Sequence, residues 1–149
     1  MRFVIPREAL VKPLQLTSGI AERKQTKPIL GNVHLNINQQ RLGITATDLE
    51  IQIVAFVEGV DGQAGELTLP ARKFLDICKA LPEGSNIEVN YENERAVIRS
   101  GRSRFSLSCL PAKEFPKVEE ISSGQRIRLS QRALRKIIDK THFAMAQQD

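Results

Sequence analysis

The sequence predicts an α+β domain made of two strand–helix–three-strand units, with the helices on one side of antiparallel sheet. Three observations lead there. Three segments overlay without a gap: Phe3 to Leu10 (FVIPREAL), Leu67 to Phe74 (LTLPARKF) and Ile127 to Leu134 (IRLSQRAL). Stretches of apolar residues at alternate positions follow the first two segments, which is the period of half-buried strands. The composition, 41% hydrophobic and 26% charged over 149 residues, is that of one ordinary globular domain and little more.

Each repeat opens as a strand, turns at Pro6, Pro70 or Ser130, and continues as a helix. Proline and serine both suit a helix start. Apolar residues then recur at helical spacing: Leu10, Pro13, Leu14; Phe74, Ile77, Cys78; Leu134, Ile137, Ile138. After the first helix, Val33, Leu35 and Ile37 alternate, then Leu42, Ile44 and Ala46, then Leu49, Ile51, Ile53, Ala55 and Val57. After the second, Ile87, Val89 and Tyr91 form a strand and Asn93-Glu94 a turn. Two more strands are expected from Arg95 to Arg99 and from Arg102 to Leu110. Residues Val118 to Gly124, with Ser122-Ser123-Gly124, read as an inter-domain linker. One domain is therefore expected at about residues 1–120. The opening strand and helix of a second are expected at 125–149, with Leu134, Ile137 and Ile138 short of apolar cover.

Net charge is +5 and the pI about 9.5, which favours a polyanionic partner. The charge is placed unevenly. Arg126, Arg128, Arg132, Arg135, Lys136 and Lys140 crowd the third repeat. Arg72, Lys73 and Lys79 lie on the second helix, and Arg7 and Lys12 on the first. Basic helices can meet a phosphate backbone without reading bases, although any helix has a charged solvent face. From Arg95 to Leu110 there are four arginines, Arg95, Arg99, Arg102 and Arg104, and no acid. The last strand is expected to carry Arg102 and Arg104 on one face and Phe105, Leu107 and Cys109 on the other. Such a strand either recruits a carboxylate-bearing partner or keeps a sheet edge from aggregating. The residues alone support both readings.

Other function classes lack their residues. There is no phosphate-binding glycine loop, dinucleotide fingerprint, serine elbow, or Cys/His cluster. His34 and His142 are isolated, and Asp48 and Glu50, expected on one face of a strand, have no third acid for a two-metal site. No catalytic residue, metal or cofactor is expected. Cys78 and Cys109 read as buried thiols. No segment has the length of a membrane span, and the charged N-terminus is not a signal peptide, so the expected location is the cytoplasm. A stand-alone nucleic-acid-binding module and a pure interaction domain remain alternatives at this point.

Five stretches carry a closer resemblance: KPILGN (Lys27 to Asn32), TATDLEI (Thr45 to Ile51), LPARKFLDICKALPEG (Leu69 to Gly84), RSGRSRFSLSCLPAKEFP (Arg99 to Pro116) and FAMAQQD (Phe143 to Asp149). Together they resemble the bacterial DNA polymerase III beta subunit, the sliding-clamp family. The resemblance implies a DNA clamp fold with three similar domains per subunit. Two subunits join head to tail in a ring, with helices around duplex DNA and sheets outside. It implies a non-catalytic processivity factor that tethers the replicative polymerase. Lys24, where the family carries Arg, Arg72 and Gln148 match DNA-contacting positions, while Gln147 replaces the family's His. Lys73, Arg95, Arg102 and Arg104 match the basic side of the subunit interface, which meets acids on the partner's third domain; Phe105 and Leu107 match its apolar core. The polymerase III alpha subunit and the clamp loader are implied partners through a pocket between the second and third domains, outside this chain.

Overall fold

The computed structural model describes residues 1–21, 27–116 and 127–145. The chain divides into two compact units, Met1–Val118 and Glu119–Asp149.

In the first unit β1 (Arg2–Pro6) buries Phe3 and Ile5 and turns Arg2, Val4 and Pro6 outward. Pro6, in extended conformation, caps α1 (Arg7–Ser18), which buries Leu10 and Leu14. A 3₁₀ turn (Pro28–Gly31) leads into β2 (Asn32–Asn38), β3 (Arg41–Thr47), β4 (Gln52–Glu58) and the two-residue β5 (Asp61–Gly62). The motif then repeats. In β6 (Gly65–Pro70), Leu67 and Leu69 are buried, and Pro70 caps α2 (Ala71–Ala80), which buries Ala71, Phe74 and Cys78. Three strands follow: β7 (Asn86–Glu92), β8 (Arg95–Ser100) and β9 (Ser103–Ser108). Asn93 and Glu94 both have positive φ, 51° and 59°, as a two-residue hairpin turn with the twist of its strands requires.

The helices lie on the buried side of antiparallel sheet, as expected, but the sheet is divided in two. One has the order β5-β1-β7-β8-β9 and the other β4-β3-β2-β6. The first strand of each half therefore pairs with the other half's three strands. The registers match as well: Phe3 faces Val89 and Ile5 faces Ile87, while Leu67 faces Leu35 and Leu69 faces Val33. The exchange places both halves around one core, which includes Phe3, Leu10, Leu14, Leu35, Ile44, Phe74 and Ile98. Each such side chain contributes about 1.5–3 kcal/mol on burial. Buried Thr68 ties β2 and β6 to the segment that follows β9: its hydroxyl accepts from Asn32 Nδ2 and the Leu110 amide and donates to the Leu110 carbonyl. Gly62 is required where β5 meets β1, since a Cβ there would lie 2.6 Å from that of Phe3.

Two strand boundaries differ from the sequence expectation. The third strand begins at Gln52, not Leu49. Asp48 accepts hydrogen bonds from the amides of Glu50 and Ile51, and Leu49 takes a φ of 83°, so Asp48 and Glu50 belong to a turn. The last strand begins at Ser103, because Gly101, with φ 54°, and Arg102 form the preceding turn. Arg102 is thus a turn residue and does not share a strand face with Arg104.

In the second unit, Ser130 caps α3 (Gln131–Thr141) by accepting from the Ala133 amide, as the serine suggests. None of its residues is buried, and Leu134, Ile137 and Ile138 are about half exposed. Ile127 to Leu129, expected as a strand, has no ladder among the described residues; alternation marks a possible strand, but a partner makes one.

Candidate functional site

The two halves handle their cations differently. Arg7 does not project from a free helix face, contrary to the sequence reading. Its guanidinium donates to the Cys78 and Lys79 carbonyls at 3.0 and 3.1 Å, capping the C-terminus of α2. Beside it, Glu8 accepts from the Gly84 amide at 2.8 Å, and that bond holds its carboxyl below the ordinary range. The start of α1 is thereby tied to the end of α2, and the helices run antiparallel.

Arg72 and Lys73 occupy the first turn of α2 and are exposed. That turn holds no acid. The helix dipole favours anions there and disfavours cations, each by about 0.3–1 kcal/mol, so these two side chains do not stabilise their own helix. Arg72 and Lys79 border an open groove of about 460 Å³, completed by Gln15, Ser18 and Gly19 from the end of α1 and by Leu75 and Asp76. Asp76 places one acid in this basic groove, which sequence reasoning did not weigh.

The second cluster lies on β8 and β9. β9 is an edge strand, and among the described residues its outer side pairs with no other strand. Phe105 and Leu107 are partly buried against the core, and Arg104 points to the opposite, exposed face. The two-residue turn aligns Arg99 directly opposite Arg104. Arg95 donates from Nε to Ser106 Oγ at 3.0 Å. Arg95, Arg99 and Arg104 are therefore brought to one surface, with Arg102 at the adjoining turn. Lys73 stays on α2, and among the described residues no hydrogen bond or ion pair joins it to β9. Lys24, Gln147 and Gln148 lie outside the described residues. Arg99 was counted in the basic run but not singled out; a two-residue turn at Gly101-Arg102 is the signal that aligns it with Arg104.

The remaining chemistry is quiet. Burial pushes the Cys78 thiol up to about 12 and the Cys109 thiol up to about 11, so neither is a ready nucleophile. Among the described residues no three His, Cys, Asp or Glu side chains gather as a metal site, and no described helix is long and apolar enough to cross a membrane. His34 is a packing residue, bonded to Glu66 and stacked on Phe115.

Known proteins share this sequence and this fold. The beta sliding clamp of Pseudomonas aeruginosa is 50% identical over the whole chain, and that of Escherichia coli 48%. The chain spans 41% of the length of each. The solved DNA polymerase III subunit beta of P. aeruginosa superposes with a TM-score of 0.95 at 49% identity. It matches all of this chain and 41% of its own. The Caulobacter crescentus pol III beta structure gives 0.94 at 36% identity, over all of this chain and 40% of its own. Residues 1–119 match the family model for the DNA polymerase III beta subunit, N-terminal domain, and the chain belongs to that family.

Proposed function

We propose that this chain forms part of a ring-shaped sliding clamp, a DNA-replication processivity factor that encircles duplex DNA without sequence specificity. It acts as a non-catalytic subunit of the polymerase holoenzyme and tethers the replicative polymerase, raising its effective concentration at the primer end. The observation that carries the reading is the pair Arg72 and Lys73, exposed in the first turn of α2 where the helix itself disfavours them. Residues 1–120 form the N-terminal clamp domain, and 125–149 the opening strand and helix of the second. Lys24, Arg72 and Gln148 contact DNA. Lys73, Arg95, Arg102 and Arg104, around Phe105 and Leu107, meet acids of a second subunit in a head-to-tail ring. The polymerase III alpha subunit and the clamp loader dock outside this chain. The assembly works in the cytoplasm.

Duplex titration at two salt concentrations tests this. The 149-residue chain is expected to bind labelled duplex weakly, with affinity falling steeply as salt rises. Tight, sequence-selective binding that survives raised salt overturns the clamp reading in favour of a stand-alone DNA-binding module. Nucleotide incorporation or hydrolysis with Mg²⁺ by the purified chain overturns the non-catalytic assignment.

A further inference from the structure

The outer face of the five-stranded sheet contains a like-charge pair. Arg99 on β8 and Arg104 on β9 are directly opposite in register, so their side chains leave the same face at adjacent positions. Both are exposed. Glu88 on β7 is the residue opposite Arg99 on the other side. Its carboxylate turns away and pairs with Arg2 at 2.7 Å. Among the described residues, no carboxylate forms an ion pair with Arg99 or Arg104. Directly opposed like charges destabilise a strand pair. Arg104 is on the edge strand β9 and Arg99 on the strand next to it; among the described residues no strand pairs with the outer side of β9, where another strand can add.

We propose that Arg99 and Arg104 together form a binding site for one carboxylate, an Asp or Glu side chain of the strand that docks on β9. Two guanidinium groups on one carboxylate exchange a repulsion for two charge-assisted hydrogen bonds. Arg99 thereby becomes a partner-recognition residue. The pair costs stability in the unassembled domain and recovers it on assembly. The proposal rests on the reading of β9 as the subunit interface and adds to it a residue and a stoichiometry.

The opposite signs of the two effects make the test. In this 149-residue chain at low salt, Arg99→Gln is expected to raise Tm by about 1–3 °C, whereas Lys113→Gln, an exposed control of equal charge change, leaves it unchanged. In the full-length subunit carrying this chain, Arg99→Gln is expected to weaken assembly by about tenfold in sedimentation. Arg104→Gln should do the same. The double variant should fall short of the product of the two effects, because one carboxylate is shared. A raised Tm with unchanged assembly overturns the proposal, and so does full additivity of the two variants. If Arg104→Gln weakens assembly and Arg99→Gln does not, the shared site is wrong and the interface reading stands. If neither weakens assembly, both are wrong.

Discussion

The two halves of the first unit share topology, register and core, yet they differ in what their arginines do. In the first half each described arginine is satisfied within the domain. Arg2 pairs with Glu88, Arg7 caps α2, and Arg41 pairs with Glu58 at 2.9 Å while lying 3.6 Å over the Phe56 ring. In the second half Arg72, Arg95, Arg99, Arg102 and Arg104 make no ion pair among the described residues. The equivalent edge strands differ accordingly: β4 carries Glu58 and Phe56, which hold Arg41 of β3, whereas β9 carries Arg104, which makes no ion pair among the described residues. A repeated fold thus supplies two similar scaffolds. One half uses its described arginines to hold the domain together, and the other presents its arginines outward.

The largest expected effect tests the claim that the halves are alike inside. Leu10 and Phe74 occupy the same motif position and are both fully buried. Leu10→Ala is expected to cost about 2–5 kcal/mol and Phe74→Ala about 3–5 kcal/mol in urea unfolding. Leu134, the third occurrence of that position, is half exposed, and Leu134→Ala should cost less than about 0.5 kcal/mol. A large loss at Leu134 would show that α3 is covered in solution.

Next comes the outward charge. Arg102→Glu with Arg104→Glu is expected to remove about 2–5 kcal/mol of association free energy in the full-length subunit. The circular dichroism and Tm of the first domain should not fall. An intact assembly at low concentration would mean that these side chains are not at the interface.

The inward charge should behave in the opposite way. Arg7→Ala leaves two carbonyls at the end of α2 without their donor and is expected to cost about 1–2 kcal/mol of stability. Arg72→Ala, at the unfavourable end of the same helix dipole, should leave stability unchanged or slightly raised, while weakening duplex binding. Equal losses at the two positions would erase the contrast between the halves.

The smallest effect is a pH dependence. Glu8 is held below its ordinary value of 4.5 by the Gly84 amide, and Asp48 is held low by the Ile51 amide. A lowered folded-state pKa adds stability that is present above the unfolded value and lost as pH falls through the folded one. Unfolding followed from pH 5 to 3 should therefore show an acid limb that is shallower in Glu8→Gln. An unchanged limb would mean that the link between α1 and the Gly84 turn carries no charge-dependent stability.

Much of the local structure was legible because it depends on neighbours in sequence. Alternation at Val33 to Ile37 and Ile87 to Tyr91 gave strands, and Pro6, Pro70 and Ser130 gave helix starts. Asn93-Glu94 gave a turn, for which local backbone geometry suffices. The errors arose where a short-range hydrogen bond overrode an apolar pattern. Leu49 continues the alternation of β4, but Asp48 captures the following amides and bends the chain. Arg102 continues the pattern of β9, but Gly101 places it in a turn.

The sequence by itself determined the composition of the two halves, the period of each element and the sign of the charge on each. Tertiary structure alone decided which strand pairs with which. Two β-strands of equal alternation fit either sheet, and only closing one core around both helices selects β1 with β7 and β6 with β2. It also decided the role of each arginine. A guanidinium carries its charge wherever it lies, but whether that charge is used depends on which carbonyls and carboxylates folding brings within about 3 Å. That proximity separates Arg7, which caps a helix from the start of another, from Arg104, whose partner is not among the residues described.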